Sequence, residues 1–221
     1  MAGGTMDTDK PASLQAVMTG LYWIYDRVVS RDTASDAAPL SEKDIDRMIR
    51  RTATQAGAVG FTTNLGGLLT LPIALPANLA AVSTLQIKLI SDIARARGYD
   101  VGSEQVRTLT VACLAGSAVL DILKDVGVGV GMRLSQKALL GIGGAVMGRI
   151  NQAVAGRLVA VAGRSGTVTV ARVVPFIGGA ISGTVDGLAT AAVGAAAKRV
   201  FVRAAETVVG TPALLSAPAA P

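Results

Sequence analysis

The chain of 221 residues contains no histidine and a single cysteine, Cys113. The first absence removes His-based triads, His general bases and His metal ligands. The second removes an intramolecular disulfide and any CxxC metal or redox site. No metal and no cofactor is therefore expected. Cys113 lies between Ala112 and Leu114 with no histidine to activate it, and reads as a core thiol. Aromatic residues are scarce at 3%, and after residue 126 only Phe176 and Phe201 remain. Without stacking platforms, and with no helix-turn-helix or zinc pattern, nucleic acid is not an expected partner. Charge is scarce too: 16% of residues, against about 25% in an ordinary soluble domain.

What remains is an apolar chain, 51% hydrophobic, built from Ala, Val, Leu and Ile with 26 glycines. The length suits one large domain or two small ones with a sizeable buried core. Its charges are unevenly placed. Residues 1–126 hold 12 Lys/Arg and 13 Asp/Glu, whereas residues 127–221 hold 9 Lys/Arg against only Asp186 and Glu206. A second half of net +7 points to an anionic partner such as a phospholipid surface. Its bland alternative is solubilisation of an apolar chain. The polar start lacks the basic-then-apolar order of a signal peptide, so a cytoplasmic setting is expected. Residues 1–12 and the Pro/Ala-rich residues 206–221 read as disordered ends.

Helical spacing dominates the rest. Leu14, Val17, Met18, Leu21, Ile24, Tyr25 and Val28 recur with the 3.6-residue period from Ser13 onward. Ser41-Glu-Lys-Asp44 resembles a capping box opening a second helix with Ile45, Met48 and Ile49. Pro76-Ala-Asn78 looks like the start of a helix to Arg97, with Gly98 as its stop. Ser103 caps a helix predicted to run through Cys113 and Leu120 to about Asp125. Met132–Leu140, Val146–Ala162 and Ile177–Val202 are three further helical stretches. Gly166–Val174 alternates weakly, but with no second strand to pair with it reads as a loop. The expected fold is all-α, one domain of six to eight helices.

From Thr52 to Ile87 there are 36 residues without a charge. That length would allow a membrane span, yet Gly57, Gly60, Gly66, Gly67, Pro72 and Pro76 interrupt it and predict a bent or re-entrant segment. Gly66 to Leu79 is expected to form a tight, helix-broken hairpin. Leu68, Leu69, Leu71, Ile73 and Leu75 would give it an uncharged surface that must be buried in lipid or in the protein core. Around Val146–Ala162 the basic residues Arg149, Arg157 and Arg164 flank an apolar stripe of Ile150, Val154, Leu158 and Val161. With Arg172 they are candidate headgroup contacts, although the same layout fits any helix packed on a core.

Motifs for chemistry are few. Gly127-Val-Gly-Val-Gly131 fails the dinucleotide fingerprint, and Gly178-Gly-Ala-Ile-Ser-Gly183 has no following Lys for a phosphate loop. Gly179 and Gly183 instead form a small-xxx-small face for close helix approach. Asp186 stands alone in an apolar run. It is a buried partner of a polar group, or else a catalytic carboxylate needing a second acid from a distant segment such as Asp92 or Asp100. No catalytic residue is assigned.

The stretch Gly60-Phe-Thr-Thr-Asn-Leu-Gly66-Gly67-Leu-Leu-Thr-Leu-Pro72-Ile-Ala-Leu-Pro76-Ala-Asn78-Leu79 resembles the EcsC family. The resemblance continues at Gly98-Tyr-Asp100, Lys137-Ala-Leu139, Val174-Pro175-Phe-Ile-Gly178-Gly179, Gly183 with Asp186, and Ala197-Lys-Arg-Val-Phe201. It covers roughly Ile45 to Val202. It implies a bacterial, helical protein of unestablished activity, for which a hydrolase role on a lipid or peptide is one general suggestion. Asn78 stands where many members are expected to carry Asp, so no carboxylate mechanism is implied there. Taken together, the expectation is a non-enzymatic protein held peripherally on the inner face of a cell membrane through anionic phospholipid. A hydrolase or a homo-oligomer covering its own apolar faces are the alternatives.

Overall fold

The computed structural model describes residues 10–31, 40–63, 71–128, 139, 141–164 and 177–202. Among them are seven α-helices, one 3-10 turn and no strand, so the fold is all-α. In order the elements are α1 (Lys10–Arg31), α2 (Glu42–Thr63), α3 (Leu71–Ala96), α4 (Glu104–Cys113), the 3-10 turn (Gly116–Ala118), α5 (Val119–Asp125), α6 (Gly144–Arg164) and α7 (Ile177–Val200).

Local chemistry sets the helix ends. The Ser41 hydroxyl accepts the Asp44 N–H at 3.2 Å and donates its own proton to Asp44 Oδ2 at 2.6 Å. The shorter Asp therefore takes the serine hydroxyl rather than reaching the serine backbone, as the Glu of a full capping box would. That hydroxyl bond, aided by Arg47, holds the Asp44 carboxyl below its ordinary value. Ser103 caps α4 by accepting from the Val106 N–H. Gly98, at φ +85°, ends α3: its N–H reaches the Arg95 carbonyl and the Tyr99 N–H reaches that of Ala94. This pair of bonds is a Schellman stop, which favours glycine at the left-handed position.

Five expectations are corrected. Gly57 and Gly60 do not break the chain, because α2 runs through both to Thr63; their cost in helix propensity is offset by the helix packing described below. Nor is there a helix-broken hairpin across residues 71–79, since α3 starts at Leu71 and includes Pro72 and Pro76. Pro72 falls in the first turn, whose N–H groups have no helical acceptor, and Pro76 forfeits a single backbone bond. The helix predicted from Ser103 to Asp125 is split instead by Leu114, Ala115 and the 3-10 turn. There Gly116 adopts φ +60° beside Ala192 of α7. Finally, α6 continues through Gly163 to Arg164, and α1 begins at Lys10, ahead of Ser13. Gly66, Gly67, Leu68 and Leu69 lie outside the described residues, as do Met132–Leu140 apart from Leu139, and Gly166–Val174.

Packing follows the apolar stripes. Ile45 and Ile49 of α2, Leu89, Ile90 and Ile93 of α3, Leu109 of α4, Leu123 of α5, Ile150 and Val154 of α6, Val193 of α7 and Phe201 form one buried core. Tyr99 packs edge-on against Phe201 at 5.2 Å and donates to the Val202 carbonyl, which ties the end of α7 to the end of α3. On the other flank α1 is fastened by polar contacts. Tyr22 donates to Asn151 of α6, Tyr25 to the Val101 carbonyl, and Arg107 of α4 pairs with Asp26 while lying over the Tyr22 ring.

The closest pairing is α2 against α7, which run antiparallel. Gly57 meets Gly183, Ala53 meets Gly187, and Ile49 meets Gly194. At the far end Lys198 bonds Asp46 at 2.5 Å and Glu42 at 3.2 Å. The Lys198 bond holds the Asp46 carboxyl below its ordinary value, and the Asp46 bond, with Glu42, holds the lysine above its own. The sequence places a small-residue face at Gly179 and Gly183. In the structure Gly183, Gly187 and Gly194 carry the seam.

Candidate functional site

Because α2 is antiparallel to both α3 and α7, the C-terminal end of α2 and the N-terminal ends of α3 and α7 stand together. Those are the uncharged ends. No charged side chain occurs in α2 from Thr52 to Thr63 or in α3 from Leu71 to Ile87, and α7 carries only Asp186 before Lys198. At 1.5 Å per residue the uncharged end is roughly 18 Å deep along α2 and about 25 Å along α3. The connecting residues 64–70 carry no charge either. Charges resume at Arg50 and Arg51 of α2 and at Lys88, Asp92 and Arg95 of α3.

Inside this end the polar groups are spent on joining the helices. Asn78 Nδ2 donates to Asp186 Oδ2 at 2.9 Å, and Asn78 Oδ1 lies 2.9 Å from the Thr63 hydroxyl. The same hydroxyl is 2.7 Å from the Val59 carbonyl of its own helix. Two turns further along α3, Gln86 donates to the buried Thr190 hydroxyl at 3.0 Å. Asp186 thus braces α7 to α3, and through Asn78 to α2. Asp92, the second acid considered from sequence, is 14 positions beyond Asn78 on α3, about 21 Å away. It pairs with Lys88 and Arg95. Asp100 lies further still and accepts the Gly102 N–H. The arrangement brings no second acid of this pair to Asp186 and gives no paired-carboxylate geometry.

The outer surface of the same end is apolar. On α3 the positions 82, 83, 86, 90 and 93 form one buried stripe, and Leu79 continues it on the helical wheel. Yet Leu79 is 68% exposed where Ile90 is fully buried. On α7 the outward face reads Ala180, Thr184, Val185, Leu188, Ala189, Ala192 and Ala195, all exposed. Leu188 is 68% and Val185 46% exposed, and Phe61 of α2 is 38% exposed beside Gly183. Phe61, Ala53, Gly57, Gly183, Gly187 and Leu188 border a shallow groove of about 540 Å³ between α2 and α7. Among the described residues α7 is the one helix long and apolar enough to cross a membrane, by length and composition.

Of the residues singled out from sequence, the structure brings Asn78, Gly183 and Asp186 together at this end. Leu71, Ile73, Leu75, Pro72 and Pro76 belong to the first turns of α3, and Gly178 and Gly179 to the first turn of α7, all on the uncharged side of the molecule. Arg149 and Arg157 are exposed on α6, on the flank that packs against α1 and α4, while Ile150 and Val154 face the core. Arg164 is the last residue of α6; Arg172 and Pro175 lie outside the described residues. Sequence reading missed Phe61, Leu79, Val185 and Leu188. The legible signal was the α3 stripe, which contains Leu79 but does not say where its cover stops.

Cys113 is fully buried, and burial pushes its thiol well above the ordinary range. Among the described residues no three His, Cys, Asp or Glu side chains cluster in a way that could hold a metal. Comparison with protein-family models, curated proteins and solved structures finds no match to this chain.

Proposed function

We propose that the protein is a non-catalytic, peripheral membrane protein that enters the anionic inner face of a bacterial cell membrane with the uncharged end of α2, α3 and α7. One observation carries the reading. Three helices contribute to the same end halves that carry one charged side chain among them, the inward-bonded Asp186, and large apolar side chains stand exposed there at Phe61, Leu79, Val185 and Leu188. Water penalises such a surface, and contiguous apolar patches of this kind mark membrane or protein interaction sites. Asp186 is compatible with shallow entry because its carboxylate is already engaged by Asn78. The net +7 of residues 127–221 would add attraction to an anionic surface. The resemblance to the EcsC family supplies the bacterial setting.

Vesicle co-sedimentation tests this. Wild-type protein is expected to pellet with vesicles containing anionic lipid, less so as salt rises. The Leu79→Glu/Leu188→Glu variant should stay in solution while keeping its helical circular dichroism. Equal recovery of wild type and variant on vesicles would refute the reading. If wild type instead forms a stable homo-oligomer that ignores vesicles and the variant is monomeric, the apolar face serves self-association.

A further inference from the structure

The opposite end of the bundle carries the charge. A cleft of about 550 Å³ opens between the first turns of α2, the end of α3 and the last turn of α7, lined by Glu42, Asp46, Arg50, Arg97, Lys198 and Arg199. Four cations face two carboxylates there, leaving an excess of two positive charges. Its volume lies within the range of small-molecule sites.

Arg97 is the unusual member. Its side chain is 4% exposed, and one guanidinium nitrogen reaches Glu42 Oε1 at 2.5 Å. Its Nε–H is buried and has no acceptor. A buried guanidinium with an unused donor is an uncommon arrangement in a folded protein. Glu42 is half exposed and shared between Arg97 and Lys198, so its carboxylate can swing to solvent without leaving a buried charge of its own. Arg50 and Arg199 are exposed and make no ion pair among the described residues. Asp46 also holds Lys198, at 2.5 Å, so the two carboxylates engage Lys198 and one nitrogen of Arg97 and leave the guanidinium groups of Arg50 and Arg199 without an ion-pair partner among the described residues. A phosphate can engage these donors together: its several oxygens accept the guanidinium fork of Arg97 while others meet Lys198, Arg50 or Arg199.

We propose that this cleft binds the phosphate of a soluble phosphorylated small molecule, which displaces the Glu42 carboxylate from Arg97. The cleft itself follows from the charged end alone. That its ligand is soluble rests on the membrane reading above, because the first turn of α2 stands roughly 30 Å from the tip of the uncharged end at Thr63, out of reach of headgroups when only that tip enters the layer.

The test is isothermal titration of the full chain with inorganic phosphate and with pyrophosphate at constant ionic strength. Saturable binding is expected, weakened roughly tenfold or more in Arg50→Gln/Arg199→Gln. Both positions are exposed, so the unliganded unfolding midpoint of this variant should match wild type. Glu42→Gln should bind more tightly, since the competing carboxylate is gone; a purely structural salt bridge would not produce that gain. Absence of saturable heat from either anion into the millimolar range overturns the proposal, as does undiminished binding by the double variant or weaker binding by Glu42→Gln. Vesicle binding is measured in parallel. Unchanged vesicle binding by the double variant supports a soluble ligand, whereas its loss together with silence toward phosphate and pyrophosphate assigns the cleft to a lipid headgroup and overturns it. Failure of wild type to bind vesicles would sink the membrane reading and leave the phosphate titration as a separate result.

Discussion

Replacing Gly183 by Ala should leave the protein less stable than the same change at an open helical position, where it would help. A Cβ at Gly183 would lie 2.6 Å from the Gly57 carbonyl oxygen and 3.2 Å from the Phe61 Cβ. Ordinary contact begins near 3.4 Å, so α2 and α7 must part by most of an ångström. Neither neighbour can yield by a rotamer change, since one is backbone and the other is fixed to it. Overpacking of this kind costs about 1–3 kcal/mol. Helix propensity returns about 1 kcal/mol for Gly→Ala, leaving a net loss of up to about 2 kcal/mol. Gly156 on α6 is the matched control, because a Cβ there meets nothing within 4 Å and only the propensity gain of up to about 1 kcal/mol remains. Urea unfolding followed by circular dichroism should separate the two variants by about 1–3 kcal/mol, the overpacking cost alone, with similar slopes. A Gly183→Ala protein as stable as Gly156→Ala would mean that these helices are not in backbone contact, and the placement of the uncharged end would fall with them.

Other outcomes follow from single contacts. Burial pushes the Tyr25 phenol, which donates to the Val101 carbonyl, up to about 12. The unfolded chain ionises this group near pH 10, so its stability contribution is complete below pH 10 and is lost as pH rises from there toward 12. Alkaline unfolding curves of wild type should therefore fall by roughly 2–3 kcal/mol more than those of Tyr25→Phe over this window. Asp46, lowered by Lys198, contributes above the ordinary carboxylate range and loses that contribution as pH falls through its lowered value; Asp46→Asn should flatten the acid limb of the stability profile. Asn78→Ala removes the donor to Asp186 and the acceptor of Thr63, and should cost about 1–3 kcal/mol in thermal or urea unfolding. The Cys113 thiol should react with a disulfide reagent only in denaturant, and a fast native reaction would contradict its burial.

Much of the fold was legible because its signals are local. The Ser41 and Ser103 caps, the Gly98 stop and the stripes of α1 and α6 each depend on residues within a turn or two of one another. The errors share the opposite character. Gly57 and Gly60 look like breakers until Gly183 and Asp186, more than 120 positions later, are seen packing on them. Pro72 and Pro76 look like a bend because sequence cannot say that the helix has already begun at Leu71. Gly116 looks tolerable in a helix until Ala192 crosses beside it. The site was half readable for the same reason. The uncharged run and the isolation of Asp186 are properties of composition, but their convergence at one end depends on α2 running antiparallel to its two neighbours. The charged cleft was invisible, since Arg97 and Lys198 meet Glu42 only in three dimensions.

The same geometry bounds how strongly the uncharged end could hold a membrane. Fully burying a large apolar side chain contributes about 1.5–3 kcal/mol. Leu79 and Leu188 each have 68% of their surface left to bury, and Phe61 and Val185 have less, so the four together supply roughly 5 kcal/mol. Alone that corresponds to a dissociation constant of order 0.1 mM, which is reversible attachment rather than insertion. Any two basic side chains within reach of an anionic surface would add about 1 kcal/mol each, bringing the constant toward the low micromolar range. Hydrophobic and electrostatic contributions are then both required and neither suffices. On the proposed reading, attachment should respond steeply to lipid charge and salt, a behaviour that an integral α7 span would not show.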